Sequence, residues 1–284
     1  MGDEESKNPR DAVFTTALWD GGFSLADWTL HLQRFTEHAK LLRIELPSNF
    51  SQQIVDYFLE VEKKGLHNLS NEPSMLVRIE CSHTGKISFE IRKPEFRNEE
   101  IDAITIPAPR WSMKINGTKH GDWKPYLQAH EMAKKRGADL AFHVHDFAIV
   151  DADRAAPIVL DEDGVAWVAA PSEGGVASIT LQTLVGGLEA AGIPVQFGRL
   201  NERLVARAVE VVAIGSGIGA CRILSLDGEA LGEGKALTAL CQKLLQSHYQ
   251  DSATWFDVRL GPVSYTHLRA HETEADLVCR LLLE

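Results

Sequence analysis

The sequence predicts an α+β protein, with a small α+β unit followed by a larger β-rich one carrying peripheral helices. Three observations predict it. Two segments with helical apolar spacing lie early in the chain. Short β-rich runs separated by turn residues dominate the middle. Between the two regimes sits a candidate linker, Pro107-Ala108-Pro109. The expected division is therefore 1–108 for the small unit and 109–262 for the larger one, with 263–284 set apart for the reason given below. The 284 residues are 44% hydrophobic, which excludes a disordered or collagen-like chain.

Ala12–Leu18 is rich in β-formers, and Asp20-Gly21-Gly22 is a turn signal. Ser24 is placed to cap a helix, with Asp27 three residues on as a capping-box acid. Trp28, Leu32, Phe35, Ala39 and Leu42 then recur at helical spacing until Pro47. A second helix fits Phe50–Lys64 and stops at Gly65. Met75–Cys81 and Lys86–Arg92 read as strands joined at His83-Thr84-Gly85, and Ile101–Ile106 as a third. Beyond the prolines, Trp111–Ile115 reads as a strand, Asn116-Gly117 as a turn, Pro125–Arg136 as a helix closed by Gly137, and Leu140–His145 as a strand. Short strands continue to Pro171, with a turn at Asp161-Glu162-Asp163-Gly164. Ile179–Ala191 is a well-marked helix, with Ser178 as N-cap, Gly192 at C′ and Pro194 after it. Val209–Ile214 leads into Gly215-Ser216-Gly217-Ile218-Gly219, Arg222–Leu226 is a further strand, and a last helix covers Lys235–His248.

The formal charge of −11 argues against nucleic acid or an anionic membrane as partner, since no run of Lys and Arg offsets it. The N-terminus has no apolar core of a secretory signal, no stretch of eighteen apolar residues occurs, and the four cysteines form no CxxC pair. A cytoplasmic protein with free thiols is the expectation. The segment Val263–Glu284 resembles one reading frame of a transposase-type sequencing adapter and is set aside as foreign. With it go His267 and His271, whose four-residue spacing beside Glu272 imitates a metal site. No metal is expected.

Four features carry chemistry. The glycine cluster at 215–219 misses the GxGxxG spacing by one residue, and a β-like run follows where a dinucleotide site needs a helix. It reads instead as a tight loop whose amides and Ser216 hydroxyl can contact an anion. The helix after Ser178 offers the unpaired N–H groups of Ile179 and Thr180 and the Thr180 hydroxyl. Arg34 lies in register with His31 and His38 on the first long helix. Lys119, between a turn and a helix, becomes a nucleophile if it is desolvated.

The order and surroundings of these features resemble class IV aminotransferases, the fold-type IV pyridoxal-phosphate enzymes. That family includes branched-chain aminotransferases, D-amino-acid aminotransferases and aminodeoxychorismate lyases. The matching segments are Phe14-Thr15-Thr16, His31-Leu32-Gln33-Arg34, Gly117-Thr118-Lys119-His120, Gly137-Ala138-Asp139, Gly174–Thr180, Gly192-Ile193-Pro194-Val195 and Gly215-Ser216-Gly217. The resemblance implies a two-domain fold clamping pyridoxal 5′-phosphate, and a homodimer. It implies that Lys119 holds the cofactor covalently and then moves the substrate Cα proton. Arg34, the Ile179 and Thr180 amides, the Thr180 hydroxyl and Ser216 would bind the phosphate, and Gly217 would offer an amide near the substrate carboxylate.

The implied activity is transamination of a small amino acid / 2-oxo acid pair. The alternatives are aminodeoxychorismate lyase (β-elimination giving 4-aminobenzoate and pyruvate) and a degenerate member that binds a phosphate ligand or partner without catalysis. The sequence departs from the family at several points. Counting from Gly137, Ala152 and Pro157 occupy the positions of the glutamate that faces the pyridine nitrogen and of the asparagine five residues on. Asp151 and Asp153 flank Ala152, but period-two alternation turns both to the other face unless a bulge intervenes. Trp123 and Lys124 replace the usual Asn or Tyr, and the strands that family members carry before Phe-x-Thr have no counterpart.

Overall fold

The computed structural model describes residues 8–65, 75–95 and 100–261. The segment 263–284 set aside as foreign, with His267, His271 and Glu272, lies outside the described residues. In chain order the elements of the first half are β1 (Ala12–Trp19), β2 (Ser24–Ala26), α1 (Trp28–Leu42), α2 (Phe50–Lys63), β3 (Met75–Ser82), β4 (Ile87–Arg92), β5 (Ile101–Pro107), α3 (Lys124–Lys135), β6 (Leu140–His145) and β7 (Ala148–Ala152). There follow β8 (Ala156–Leu160), β9 (Ala166–Ala169), α4 (Ile179–Ala190), β10 (Val195–Gly198), β11 (Leu200–Asn201), α5 (Glu202–Ala206), β12 (Glu210–Gly215), β13 (Gly219–Leu226), β14 (Glu229–Ala230), α6 (Ala236–Gln250) and β15 (Trp255–Asp257).

Two sheets result. The smaller has the order β15-β2-β1-β3-β4, and the larger runs β10-β9-β8-β12-β13-β5-β6-β7-β11, with β14 paired to β13. Strand β1 is buried on both faces, so its sequence shows no polar alternation. Val13, Ala17 and Trp19 pack into a core with Phe35 and Leu42 of α1 and Phe50, Ile54 and Phe58 of α2. Phe14 and Thr16, on the opposite face, look toward the larger sheet and line the cleft between the two. The larger sheet curls around a core of its own, in which Phe142, Val159, Val211 and Ile223 meet Leu200 and Val205. Helices α4 and α6 cover its outer face through Leu184, Leu188, Leu237 and Cys241. Among the described residues no helix is long and apolar enough to cross a membrane.

The local signals placed most elements within a residue or two, and the exceptions have identifiable physical causes. Ser24 does not cap α1. It lies in β2, which pairs with β15 from the far end of the chain, and α1 opens after Asp27, a residue in the left-handed region at φ 52°. The expected strand Trp111–Ile115 is a turn. Asn116 accepts the Trp111 N–H at 2.8 Å, and the Ile115 and Asn116 N–H groups both reach the Ser112 carbonyl, so no edge is left for a ladder. Strand β5, assigned to the first unit by a boundary at 108, pairs with β6 and β13 in the larger sheet. Its partners come later in the chain, which a sequence-local composition change does not reveal.

Candidate active site

The cleft between the two sheets has a volume of ≈ 340 Å³, and Lys119, Arg34, Ile179, Thr180, Ser216 and Gly217 all line it. Six side chains or backbone groups scattered over 184 positions are thus brought to one place. The Lys119 segment is anchored on both sides. Its N–H donates to His38 Nδ1 at 3.1 Å, and its carbonyl accepts from Phe14 N–H at 3.2 Å. The turn before it needs glycine, because Gly117 has φ 78° and a Cβ there would lie 2.9 Å from the Gly175 carbonyl oxygen. Lys119 Nζ sits 5.1 Å from the Phe14 ring centre and 4.9 Å from that of Trp123. Burial is the main cause that brings the amine down to about 7, and Arg34, Arg78 and Arg92 push the same way while Asp151 opposes them.

Around this amine the histidines are neutral. Burial lowers His38 to about 3 and His120 to about 4, and it carries His31 well below the usual range. His143, behind the cleft wall, also falls to about 4 through burial. These folded values lie below the unfolded one, so their contribution to stability is complete above about pH 6.5. It is lost as the pH falls, at about 1.4 kcal/mol per histidine per pH unit. Urea midpoints should therefore drop steeply below pH 6. His38→Asn, which keeps an acceptor for the Lys119 amide, should flatten that drop by about one proton's worth; an unchanged slope would remove His38 from the explanation.

The same cleft gathers a set of anion-binding donors. Ser178 Oγ caps α4 by accepting the Leu181 N–H at 3.2 Å, which leaves the Ile179 and Thr180 N–H groups without an intrahelical acceptor. Thr180 Oγ1 and Ser216 Oγ lie 3.1 Å apart, so two hydroxyls converge there from α4 and from the β12–β13 turn. Arg34 reaches across from α1, donating to the Ala177 carbonyl at 2.8 Å and to Thr15 Oγ1 at 3.2 Å. Burial brings its guanidinium down to about 10, still charged at neutral pH. Two amides, two hydroxyls and a guanidinium match the donor set a phosphate monoester requires, and the desolvated amine beside them suits an aldehyde. The residues present thus fit pyridoxal phosphate.

Asp151 and Asp153 part company. The β6–β7 register slips between His143 and Val144, where Val150 becomes the extra residue, and this bulge brings Asp151 into the cleft. Its carboxylate accepts from Tyr126 Oη at 3.0 Å, Val176 N–H at 3.1 Å and Ala152 N–H at 2.9 Å. Burial raises it to about 6 against those three donors. Asp153 instead meets His130 Nδ1 at 2.8 Å and Arg154 Nε at 3.6 Å. Both acids line the cleft, and Ala152 offers it only a methyl group.

Sequence reasoning overlooked Tyr126, which stacks on Trp123 with ring centres 3.9 Å apart and bonds Asp151. It also overlooked Arg78 and Arg92. Thr16 pairs with Arg78, and Leu76 with both Leu18 and Arg92, so these side chains share the sheet face that carries Phe14. Two cationic residues on alternate positions of neighbouring strands were the available signal.

Residues 12–226 match the family described as Amino-transferase class IV. A comparison with curated protein sequences found no match. Among solved structures, the branched-chain aminotransferase of Thermoproteus uzoniensis with norvaline superposes with a TM-score of 0.73 at 15% identity, over 88% of this chain and 90% of that one. A putative 4-amino-4-deoxychorismate lyase from Legionella pneumophila gives 0.71 at 16% identity, over 84% and 91%. The PLP-bound form of a hypothetical aminotransferase from Mycobacterium tuberculosis gives 0.71 at 18% identity, over 84% and 89%. Together the family match over most of the chain and the shared two-sheet architecture establish that this protein belongs to the class IV aminotransferase family.

Proposed function

We propose that the chain is a cytoplasmic, homodimeric, pyridoxal-phosphate-dependent aminotransferase acting on a small amino acid / 2-oxo acid pair. The observation that carries this reading is a buried amine, poised near neutrality, in one cleft with a two-amide, two-hydroxyl, one-guanidinium anion cup. When bound, pyridoxal phosphate supplies an electron sink for negative charge at the substrate Cα. Arg34, the Ile179 and Thr180 amides, and the Thr180 and Ser216 hydroxyls hold the phosphate. Lys119 would provide the attachment point, and its amine would take the substrate Cα proton and return it. The Gly217 amide meets the substrate carboxylate. Phe14 and Trp123 keep water from the amine. Leu127 on α3, 58% exposed, lines the cleft and offers an apolar surface there that suits a second copy.

Purified protein mixed with pyridoxal phosphate is expected to develop a visible absorption band that Lys119→Ala loses completely. No band in the parent protein would sink the reading and leave a phosphate-binding family member without catalysis. With the band present, a strict need for a 2-oxo acid acceptor supports transamination. Pyruvate release without an acceptor would reassign the chain as a lyase.

A further inference from the structure

We propose that His31 is a further hydrogen-bond donor to a phosphate bound in the cleft, and that Thr15 is the positioning residue that aims it by fixing which ring nitrogen carries the proton. The inference rests on the reading of the cleft as a phosphate site, and it concerns groups of this chain that are in place before any cofactor arrives.

The face of β1 that packs on α1 carries Val13, Ala17 and Trp19, all in the apolar core, and among them the fully buried Thr15. A hydroxyl in such a place needs partners. Thr15 has two, both on α1. Arg34 Nη2 donates to Thr15 Oγ1 at 3.2 Å, and Oγ1 lies 2.7 Å from His31 Nδ1. A guanidinium only donates, so Arg34 occupies a lone pair of the hydroxyl and leaves its proton to be placed. Among the described residues His31 Nδ1 is the acceptor bonded to it, so Thr15 donates there. Nδ1 is then bare, and in a neutral ring the proton sits on Nε2. The reverse bond, from Nδ1–H to Oγ1, would strand the Thr15 proton in the core with no acceptor.

His31 is 97% buried (3% exposed), yet it lines the cleft. Among the described residues nothing bonds Nε2, and the atom is not one of the unpartnered polar atoms sealed in the interior. Nε2 therefore opens on the cleft. Its neighbour is Arg34, one turn on along α1, which reaches the Ala177 carbonyl in the loop leading into Ser178 and α4. The guanidinium of the anion cup and the imidazole thus come from one stripe of one helix, tied together through a single hydroxyl. Burial first, then Arg34 and Lys119, keep the ring neutral. A neutral N–H suits this place, because it adds a bond to an anion without placing a second charge against Arg34. His38, further along the same stripe, is held in a like way, with Nδ1 accepting the Lys119 N–H.

Nitrogen-15 spectra of the full chain, labelled at histidine and free of cofactor, read the tautomer directly. His31, assigned by its loss in His31→Gln, is expected as the Nε2–H form at neutral pH. Saturating inorganic phosphate should shift its Nε2 resonance and leave Nδ1 bare. An imidazolium, an Nδ1–H ring, or an Nε2 signal indifferent to phosphate would overturn the proposal, and this part needs only the parent protein to fold. Thr15→Val should mix the two tautomers and weaken phosphate binding. His31→Phe should weaken it about ten-fold, and His31→Gln, which keeps an N–H donor, should recover most of that loss. Pyridoxal and pyridoxal phosphate then locate the contact. His31→Phe should lose affinity for the phosphorylated compound alone; an equal loss for pyridoxal would place His31 elsewhere in the cleft and overturn the assignment. A protein with the visible cofactor band and an unresponsive His31 loses only this inference. One whose His31 responds to phosphate but which develops no band loses only the proposed function.

Discussion

Gly175→Ala is expected to cost about 3 kcal/mol or more of stability, a fall in Tm of roughly 6–12 °C for a chain of this size. The added Cβ would lie 2.0 Å from the Val150 carbonyl oxygen and 3.1 Å from the carbonyl carbon. Both obstacles are backbone, so no side chain can rotate to make room. The Gly175 carbonyl is in turn packed against Gly117. The lysine turn, the loop before α4 and the β7 bulge therefore meet backbone on backbone, and a shift in one is passed to the others. Gly186→Ala serves as control. That glycine lies within α4 with nothing inside 4 Å of its Cβ position, and alanine there should add about 0.5–1 kcal/mol. A Gly175→Ala protein that melts with the parent would show that the clamp does not hold the bulge.

Glu210→Ala should be comparably severe, at about 4 kcal/mol in urea unfolding. Glu210 is fully buried on β12, and its carboxylate serves as the N-terminal cap of α6 from outside the helix. It accepts the Leu237 N–H at 2.8 Å, the Thr238 N–H at 2.7 Å and the Thr238 hydroxyl at 2.5 Å. Alanine strands two amides and a hydroxyl in the core, at about 1–3 kcal/mol for each unsatisfied group. Thr238→Val removes only the hydroxyl arm and should cost about 1 kcal/mol. The damage should also reach the cup. The far end of α6 carries His248, bonded to Asp27 at 2.9 Å, and Tyr249, whose hydroxyl contacts the Thr180 side chain. A loss below 1 kcal/mol in Glu210→Ala would mean that water reaches the cap.

Glu210 also illustrates what a sequence conceals. A glutamate opening a strand of Val and Ile looks like a strand-end charge, and nothing near it announces a helix start 26 residues later. Arg78 and Arg92 were hidden in the same way. Each lies in an alternating strand whose polar face is ordinarily solvent-facing, and only the second sheet converts that face into a cleft wall. Ser24 was misplaced because its partner strand lies some 230 positions on. In each case the deciding contact is distant in sequence, and local propensity carries no information about it.

Much else was legible from the residues. Helical spacing placed α1, the Ser178 cap placed α4, and the ordered series Arg34, Lys119, Thr180, Ser216 named residues that line one cleft. These signals are local chemistry: a cap needs its hydroxyl at one position, and an amphipathic helix needs its period. The orientation of Asp151 and Asp153 was of a different kind. Pleat geometry predicted that both would point away unless a bulge intervened, and the condition could be stated from sequence while the bulge itself could not. The bulge exists because Val150 finds room against Gly175, a glycine 25 residues away on a loop folded back over the strand. The sequence by itself determined which polar groups would be gathered in one cleft. The backbone contact between two distant segments decided that the acids flanking Ala152 face the cleft, because a one-residue slip in register reverses the direction of a side chain.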